Sequence, residues 1–305
     1  MEAETDAIRR ERMLTSLEGL SVGDAFGETF FSNPEVVGWL IEQRALSESP
    51  WPWTDDTAMA LSIVHILQER GTIDEDALMA DFARRYQAKR GYGPAMHDVL
   101  RNARAGLPWR EEVAGLFDGC GSYGNGAAMR VAPLGAYFAD DLDMVAAQAA
   151  RSATVTHTHP EGIAGAIAIA IAAALACRAR SDGAAPTRRE FIDRIVPYVP
   201  DSHLRSRIRL AKVLPLGCSV QTAITALGNG SLVSAQDTVP FCLWCAGECF
   251  SNYEEALWKT VSGLGDRDTT CAIVGGIVAC YTGIEAIPSA WRESREPLPQ
   301  ELCAV

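Results

Sequence analysis

The chain has 305 residues, 48% of them hydrophobic and 22% charged, with 27 basic side chains against 39 acidic ones. This is ordinary globular composition, apolar enough to bury a sizeable core, and it argues against extended disorder. A formal net charge of -12 leaves no overall electrostatic footprint for nucleic acid or an anionic membrane, so neither is an expected partner.

In chain order, the opening MEAETDAIRRERM is charged and lacks the apolar centre of a signal peptide. The cysteine count, an odd nine, suits a reducing compartment better than a disulfide framework, and a cytoplasmic location is expected. The first chemical signal is Trp53-Thr54-Asp55-Asp56-Thr57. It stands directly ahead of Thr57 to Glu69, whose apolar spacing predicts a helix. One acid or threonine there is a normal N-cap, and paired aspartates complement the helix dipole. Flanked by hydroxyls, the same residues offer a hard cation several oxygen ligands. A further helix is predicted over Ile73 to Arg90, and Gly91 to Pro94 breaks it.

The stretch Gly121-Ser122-Tyr123-Gly124-Asn125-Gly126-Ala127-Ala128-Met129-Arg130 is small enough to bring backbone N–H groups close to a phosphate or sugar. It is no Walker loop, lacking the terminal Lys-Ser/Thr, and no strand precedes it as a dinucleotide fingerprint requires. After a helix predicted over Met144 to Thr154 comes Thr156-His157-Thr158-His159-Pro160. These histidines either satisfy a helix start or contact a ligand; zinc would need further ligands that the neighbouring sequence lacks. They introduce a helix predicted over Glu161 to Arg180. Its centre, Gly162 to Cys177, is the most membrane-like segment but is shorter than the roughly 20 residues of a span, and reads as a buried helix.

Cys242, Cys245 and Cys249 have a spacing that can bind metal, yet they lie in the apolar helical pattern PFCLWCAGECF, where cysteine packs as a small core residue. Beyond a helix predicted over Ser251 to Val261, Gly265-Asp266-Arg267-Asp268-Thr269-Thr270 opens the apolar run Cys271 to Tyr281. Gly275 and Gly276 inside that run imply a close helix–helix approach. Asp266, Asp268 and Thr269 repeat the acidic, threonine-bearing helix start seen at Asp55 and Asp56. Two such turns in one chain point to a shared dinuclear metal site. Almost nothing alternates like a strand, and no linker or repeat appears. The expectation is one compact all-α domain over residues 1–305, with its core from about 12 to 291 and loosely tied tails.

Six segments in this order, GLSVGDAFG (19–27), WTDDTAM (53–59), GNGAAMR (124–130), THTHP (156–160), GDRDTT (265–270) and IPSAW (287–291), closely resemble the ADP-ribosylglycohydrolase family, especially its dinitrogenase-reductase-activating type. The resemblance implies a compact orthogonal helical bundle with two Mg2+ or Mn2+ ions, acting on ADP-ribose joined to protein side chains or related conjugates. It implies that Thr54, Asp55, Asp56, Asp266, Asp268 and Thr269 hold metal, that Asn125, Gly126 and Ala127 surround ADP-ribose, and that His157 contacts the ligand. ADP-ribosyl-arginine on protein is the expected substrate; a serine, acetyl-ester or nucleic-acid-end conjugate, or a catalytically silent ADP-ribose binder, is the alternative.

Two positions depart from the family pattern. Phe31 stands where relatives often carry a glutamate, so Glu28 is expected to take that acid's part beside Asp55 and Asp56. Arg267 replaces a commonly small residue and is expected to pair with an acidic group and brace the cluster.

Overall fold

The computed structural model describes residues 2–299; Met1 and residues 300–305, part of the expected tails, lie outside the described residues. It is 70% helical, with 17 helices and no strand among the described residues, as the apolar periodicity predicts. The first six helices are α1 (Glu2–Glu28), α2 (Pro34–Gln43), α3 (Asp55–Arg70), α4 (Glu75–Arg85), α5 (Pro94–Arg104) and α6 (Trp109–Gly115). Then come α7 (Gly126–Met129), α8 (Ala132–Tyr137), α9 (Leu142–Thr154), α10 (Pro160–Asp182), α11 (Arg188–Ile195) and α12 (His203–Val213). The last five are α13 (Val220–Leu227), α14 (Ala235–Glu248), α15 (Tyr253–Val261), α16 (Arg267–Thr282) and α17 (Ser289–Ser294).

The helices α1 and α16 form the most extensive pair in the molecule. Three glycines spaced one turn apart make this possible. A Cβ at Gly19 would lie 2.5 Å from the Gly275 carbonyl oxygen, one at Gly23 would lie 2.2 Å from that of Cys271, and one at Gly27 would lie 2.2 Å from that of Arg267. The close approach expected from Gly275 and Gly276 is therefore matched on the facing helix. It brings the C-terminal half of α1 against the N-terminal end of α16.

Helix α10 runs through the centre, and 89% of its most apolar window is buried inside the protein. At 23 residues it is long and apolar enough to cross a membrane by length and composition. Its isoleucines and alanines instead meet α8, α9, α14 and α16. Cys242 and Cys245 on α14 are fully buried, with Cys249 close behind, and all three pack in the core.

Within the described residues, the segments near both ends are tied to the body of the fold. Residues 2–11 continue α1 without a break, and Arg9 reaches Asp140 of the α8–α9 turn. Beyond Trp291 the backbone pairs with the Trp51 segment: Trp51 N donates to Ser294 O (2.6 Å) and Glu296 N to Trp51 O (2.8 Å). Arg295 reaches the half-buried Glu18 and Glu296 the buried Arg90, partners that local sequence does not reveal.

Candidate active site

Two helix starts face each other across the end of α1. Thr54 N-caps α3, its hydroxyl accepting from Asp56 N–H, so Asp55 and Asp56 occupy the first helical turn. Asp266 is the N-cap of α16 and Asp268 sits one residue inside it, after a turn held by Leu264 at φ 57° and Gly265 at φ 70°. The left-handed Gly265 also packs against Asn229, where a Cβ would come within 2.3 Å of the carbonyl oxygen.

Between the turns lies Asp24, fully buried on α1 within the glycine-spaced stretch. Its carboxylate accepts from Thr54 N–H (3.0 Å), Thr54 Oγ1 (2.8 Å), Thr57 N–H (3.1 Å) and Thr57 Oγ1 (2.5 Å). Asp24 thus locks the first turn of α3 onto α1. Across the seam, carboxylate oxygens of Asp24, Asp56 and Asp268 all lie within 4.8 Å of one another.

Such crowding in a desolvated place disfavours ionisation, and every carboxyl of the group responds in that direction. Burial, then Asp268 and Asp24, lifts Asp55 well above the usual carboxylate range; burial, then Asp24 and Asp268, does the same to Asp56. Burial and Asp268 push Asp266 up to about 7, and burial and Asp24 push Asp268 up to about 6. Two buried oxygens, Asp56 Oδ1 and Asp268 Oδ1, have no hydrogen-bond partner. Orphaned oxygens among convergent, mutually repelling carboxylates are the donor set that a hard divalent cation completes.

One face of this cluster opens into a cavity of about 530 Å3, lined by Asp55, Asp266, Asp268 and Thr269 on one side and by Asn125, Gly126 and His157 on another. Asn125 Nδ2 donates to Asp266 Oδ2 (2.6 Å) and to Thr238 Oγ1 (3.1 Å), linking the glycine-rich loop to the acidic turn. His157 is buried, and burial with the nearby Arg130 charge lowers its pKa to about 3, so the ring is neutral at physiological pH. Arg130 Nη2 donates to Thr156 Oγ1 (2.9 Å), which lies 2.7 Å from His157 Nδ1. The Thr156 hydroxyl and His157 Nδ1 thus share a hydrogen bond, while Nε2 lies beside Gly124 and Gly126.

A family model described as ADP-ribosylglycohydrolase matches residues 5–304. The chain belongs to the ADP-ribosylglycohydrolase family. Its relatives include ADP-ribosylhydrolase ARH3 of Bos taurus, 30% identical over 92% of this chain and 87% of that one. The Homo sapiens ARH3 is 28% identical over 92% and 88%. ADP-ribosyl-[dinitrogen reductase] glycohydrolase of Rhodospirillum rubrum is 26% identical over 92% and 89%. A solved structure described as an ADP-ribosylglycohydrolase-related protein complex superposes with a TM-score of 0.65 at 27% identity, covering 97% of this chain and 95% of that one. This ADP-ribosylglycohydrolase is thus an enzyme, a hydrolase of ADP-ribose conjugates, with the all-α fold of its family.

Within the glycohydrolase, Thr54, Asp55, Asp56, Asp266, Asp268 and Thr269 come together as the two-turn pattern predicts, with Thr269 Oγ1 3.4 Å from Asp56 Oδ2. Thr54 and Asp56 form the buried back of the cluster, while Asp55 and Thr269 reach the cavity. Ala127 is a correction: it is fully packed in the hydrophobic core and does not line the cavity. As the second residue of the short α7, its side chain turns inward while Asn125 and Gly126 border the open side.

Glu28 ends α1, and the chain turns there rather than continuing as a helix, Phe31 N–H donating to Glu28 O (3.1 Å). Its half-buried carboxyl is raised by burial and by Asp24, and its charge also acts on Asp268. It therefore flanks the cluster without lining the cavity. Arg267 is the second correction. Its guanidinium stacks over the Phe31 ring (4.5 Å to the centroid) and donates to the carbonyls of Phe30 and Gly265. The Phe30 carbonyl is presented by the turn after α1 and that of Gly265 by the turn before α16, and these take its N–H groups in place of the carboxylates.

Asp24 is the site residue that sequence reasoning passed over. The signal was present: a lone acid in an otherwise apolar, glycine-spaced run has no surface to face if that run is a buried seam.

Proposed function

We propose that this protein is a metal-dependent glycohydrolase that removes ADP-ribose from modified proteins, using two Mg2+ or Mn2+ ions held by Thr54, Asp55, Asp56, Asp266, Asp268 and Thr269 together with Asp24. The observation that carries the reading is the convergence of Asp24, Asp56 and Asp268, with two orphaned buried oxygens, beside a large cavity. When bound, such ions supply Lewis acidity and lower the pKa of an associated water.

The chain's own residues do the rest. A carboxylate among Asp55, Asp56 and Glu28 takes the proton of the attacking water, and the negative charge of the group favours the oxocarbenium-like transition state. Asn125 holds Asp266 in place and, with Gly126, forms the wall along which ADP-ribose is oriented. His157 presents the edge of its neutral ring to that ligand.

Arginine is the acceptor we favour, because a surplus of carboxylates suits a cationic guanidinium leaving group. A second reading, an oxygen-linked acceptor such as serine, is favoured by the Arg267 cation beside the cluster, where relatives commonly have a small residue. The partner is an ADP-ribosylated protein, and we place the reaction in the cytoplasm. The test is a panel of arginine, serine, acetyl-ester and nucleic-acid-end conjugates, incubated with Mg2+ or Mn2+ and followed by released ADP-ribose. Release from the arginine conjugate is the expected result. Faster release from the serine conjugate would establish the second reading. Binding of ADP-ribose without release from any conjugate would show a silent binder.

A further inference from the structure

Each aspartate turn of the cluster is held by an arginine, and only one of these belongs to a motif. The other, Arg90, lies in a short 3-10 turn, Ala88–Arg90, after α4 and is 7% exposed. Its guanidinium stacks on the Trp53 ring, 3.4 Å from the centroid, the tightest such contact in the described molecule. Nη1 donates to the Trp53 carbonyl (2.7 Å) and to Glu296 Oε2 (2.7 Å), and Nη2 donates to Glu296 Oε1 (2.8 Å). The Glu296 carboxyl is held below its ordinary range by this arginine.

The contacts converge on the residue before the metal turn. Trp53 directly precedes Thr54, the cap of α3 and the partner of Asp24. On its other side Arg90 is followed by Gly91 at φ 86°, where a Cβ would stand 3.6 Å from Asp55 Oδ1, and by Tyr92, which lines the cavity. One guanidinium therefore sets both the carbonyl that leads into Thr54-Asp55-Asp56 and the left-handed turn that backs Asp55. It draws the C-terminal segment into the same structure, because Glu296 N also bonds Trp51 O. A bidentate arginine–carboxylate pair with a stacked aromatic fixes position as well as charge, which a lysine does not reproduce.

We infer that Arg90 is a positioning residue for the carboxylate centre, holding the Thr54–Asp56 turn in its metal-binding geometry through Trp53 and Glu296. This rests on the metal-centre reading above. Its expectation is that Arg90 acts on metal affinity from outside the ligand set.

The test uses the full chain and Mn2+ alone, with free Mn2+ followed by electron paramagnetic resonance, alongside circular dichroism and thermal melts. Arg90→Met should weaken Mn2+ binding by at least about tenfold, the loss typical when an outer partner of a ligand is removed. Glu296→Gln leaves Trp53 stacked and should weaken it less, and Arg90→Lys should fall short of wild type. Arg188→Met is the control: Arg188 is a buried arginine paired with Glu248 (2.5 Å) away from the cavity, so it should melt earlier with Mn2+ affinity unchanged. If Arg90→Met fails to fold, Glu296→Gln and Arg90→Lys still decide, because a positioning role requires both to lose affinity. Wild-type affinity in the folded Arg90 and Glu296 variants, or an equal loss in Arg188→Met, would overturn the positioning role alone. A wild-type chain that binds no Mn2+ would overturn the metal reading and this inference together.

Discussion

The two aspartate turns share a plan and differ in what holds them. In both, a threonine stands beside a pair of aspartates at the mouth of a buried helix, and an arginine lies over an aromatic ring. The turn at residues 54–57 is sealed: Asp24 accepts from four donor groups in it, and the buried Arg90 pairs with Glu296. The turn at residues 264–269 is looser. Leu264 is 43% exposed, Arg267 finds backbone carbonyls, and Asp266 depends on Asn125 from another loop. The first turn is shaped by its own buried hydrogen bonds; the second leans on a contact from the glycine-rich loop.

The strongest break of this comparison is to neutralise one ligand on each side. Asp56→Asn and Asp268→Asn should both reduce conjugate hydrolysis to background while circular dichroism keeps the helical signal, and chelation of the wild type should do the same reversibly. In the metal-free state each variant should melt no earlier than wild type, because removing one charge relieves the repulsion that raises the neighbouring carboxyls. At a cation concentration of about 100 times its Kd, only the wild type should gain the expected stabilisation of about 2.7 kcal/mol. Equal gain in the Asp268→Asn variant would show that the looser turn is not part of the centre.

Glu28→Gln tests whether the acid at the end of α1 takes part in the chemistry. If Glu28 accepts the water's proton, turnover should fall by about 100-fold with ADP-ribose and Mn2+ affinities retained. Near-normal turnover would leave Asp55, which reaches the cavity, as the base.

A subtler contrast is in the threonines. Thr54→Val removes a buried hydrogen bond to the Asp24 carboxylate and should cost about 2 kcal/mol in a urea melt of the metal-free protein. Thr269→Val loses a 3.4 Å contact to Asp56 and an interaction with the less buried Asp266, and should cost clearly less. Equal costs would mean that the two turns are equally prebuilt.

This asymmetry also explains how much the sequence reveals. Local chemistry was legible: Thr54 as a cap, the aspartate pairs, and the apolar periods that became α3, α9, α10 and α15. The predicted helix from Ile73 to Arg90 was overlong, because α4 ends at Arg85 and the last residues turn away to bring Arg90 onto Trp53. Asp24 and Arg90 acquire their roles from partners at least thirty residues away, Thr54 and Glu296 among them. No periodicity within a window of one helix carries that information. Ala127 failed for the opposite reason, since a motif marks a loop but not which of its side chains turns inward.

The smallest expected effect belongs to Arg267. Its cation–π contact with the half-exposed Phe31 and its carbonyl bonds join the end of α1 to the start of α16, the two elements that carry Asp24 and Asp268. Burial lowers its pKa while Asp268 and Asp266 act in the opposite sense, so the guanidinium and the carboxylates attract without touching. A cation also opposes a second cation nearby, so its removal has two competing consequences for metal binding. The bracing contact is worth about 0.5–1 kcal/mol at a partly exposed site, equivalent to an affinity loss of about two- to fivefold. Relief of charge repulsion across a solvated separation is the weaker effect. Arg267→Ala should therefore bind Mn2+ about threefold less tightly and recover its activity at saturating metal. Tighter binding in Arg267→Ala would mean that repulsion outweighs bracing and that the looser turn holds its shape without the arginine.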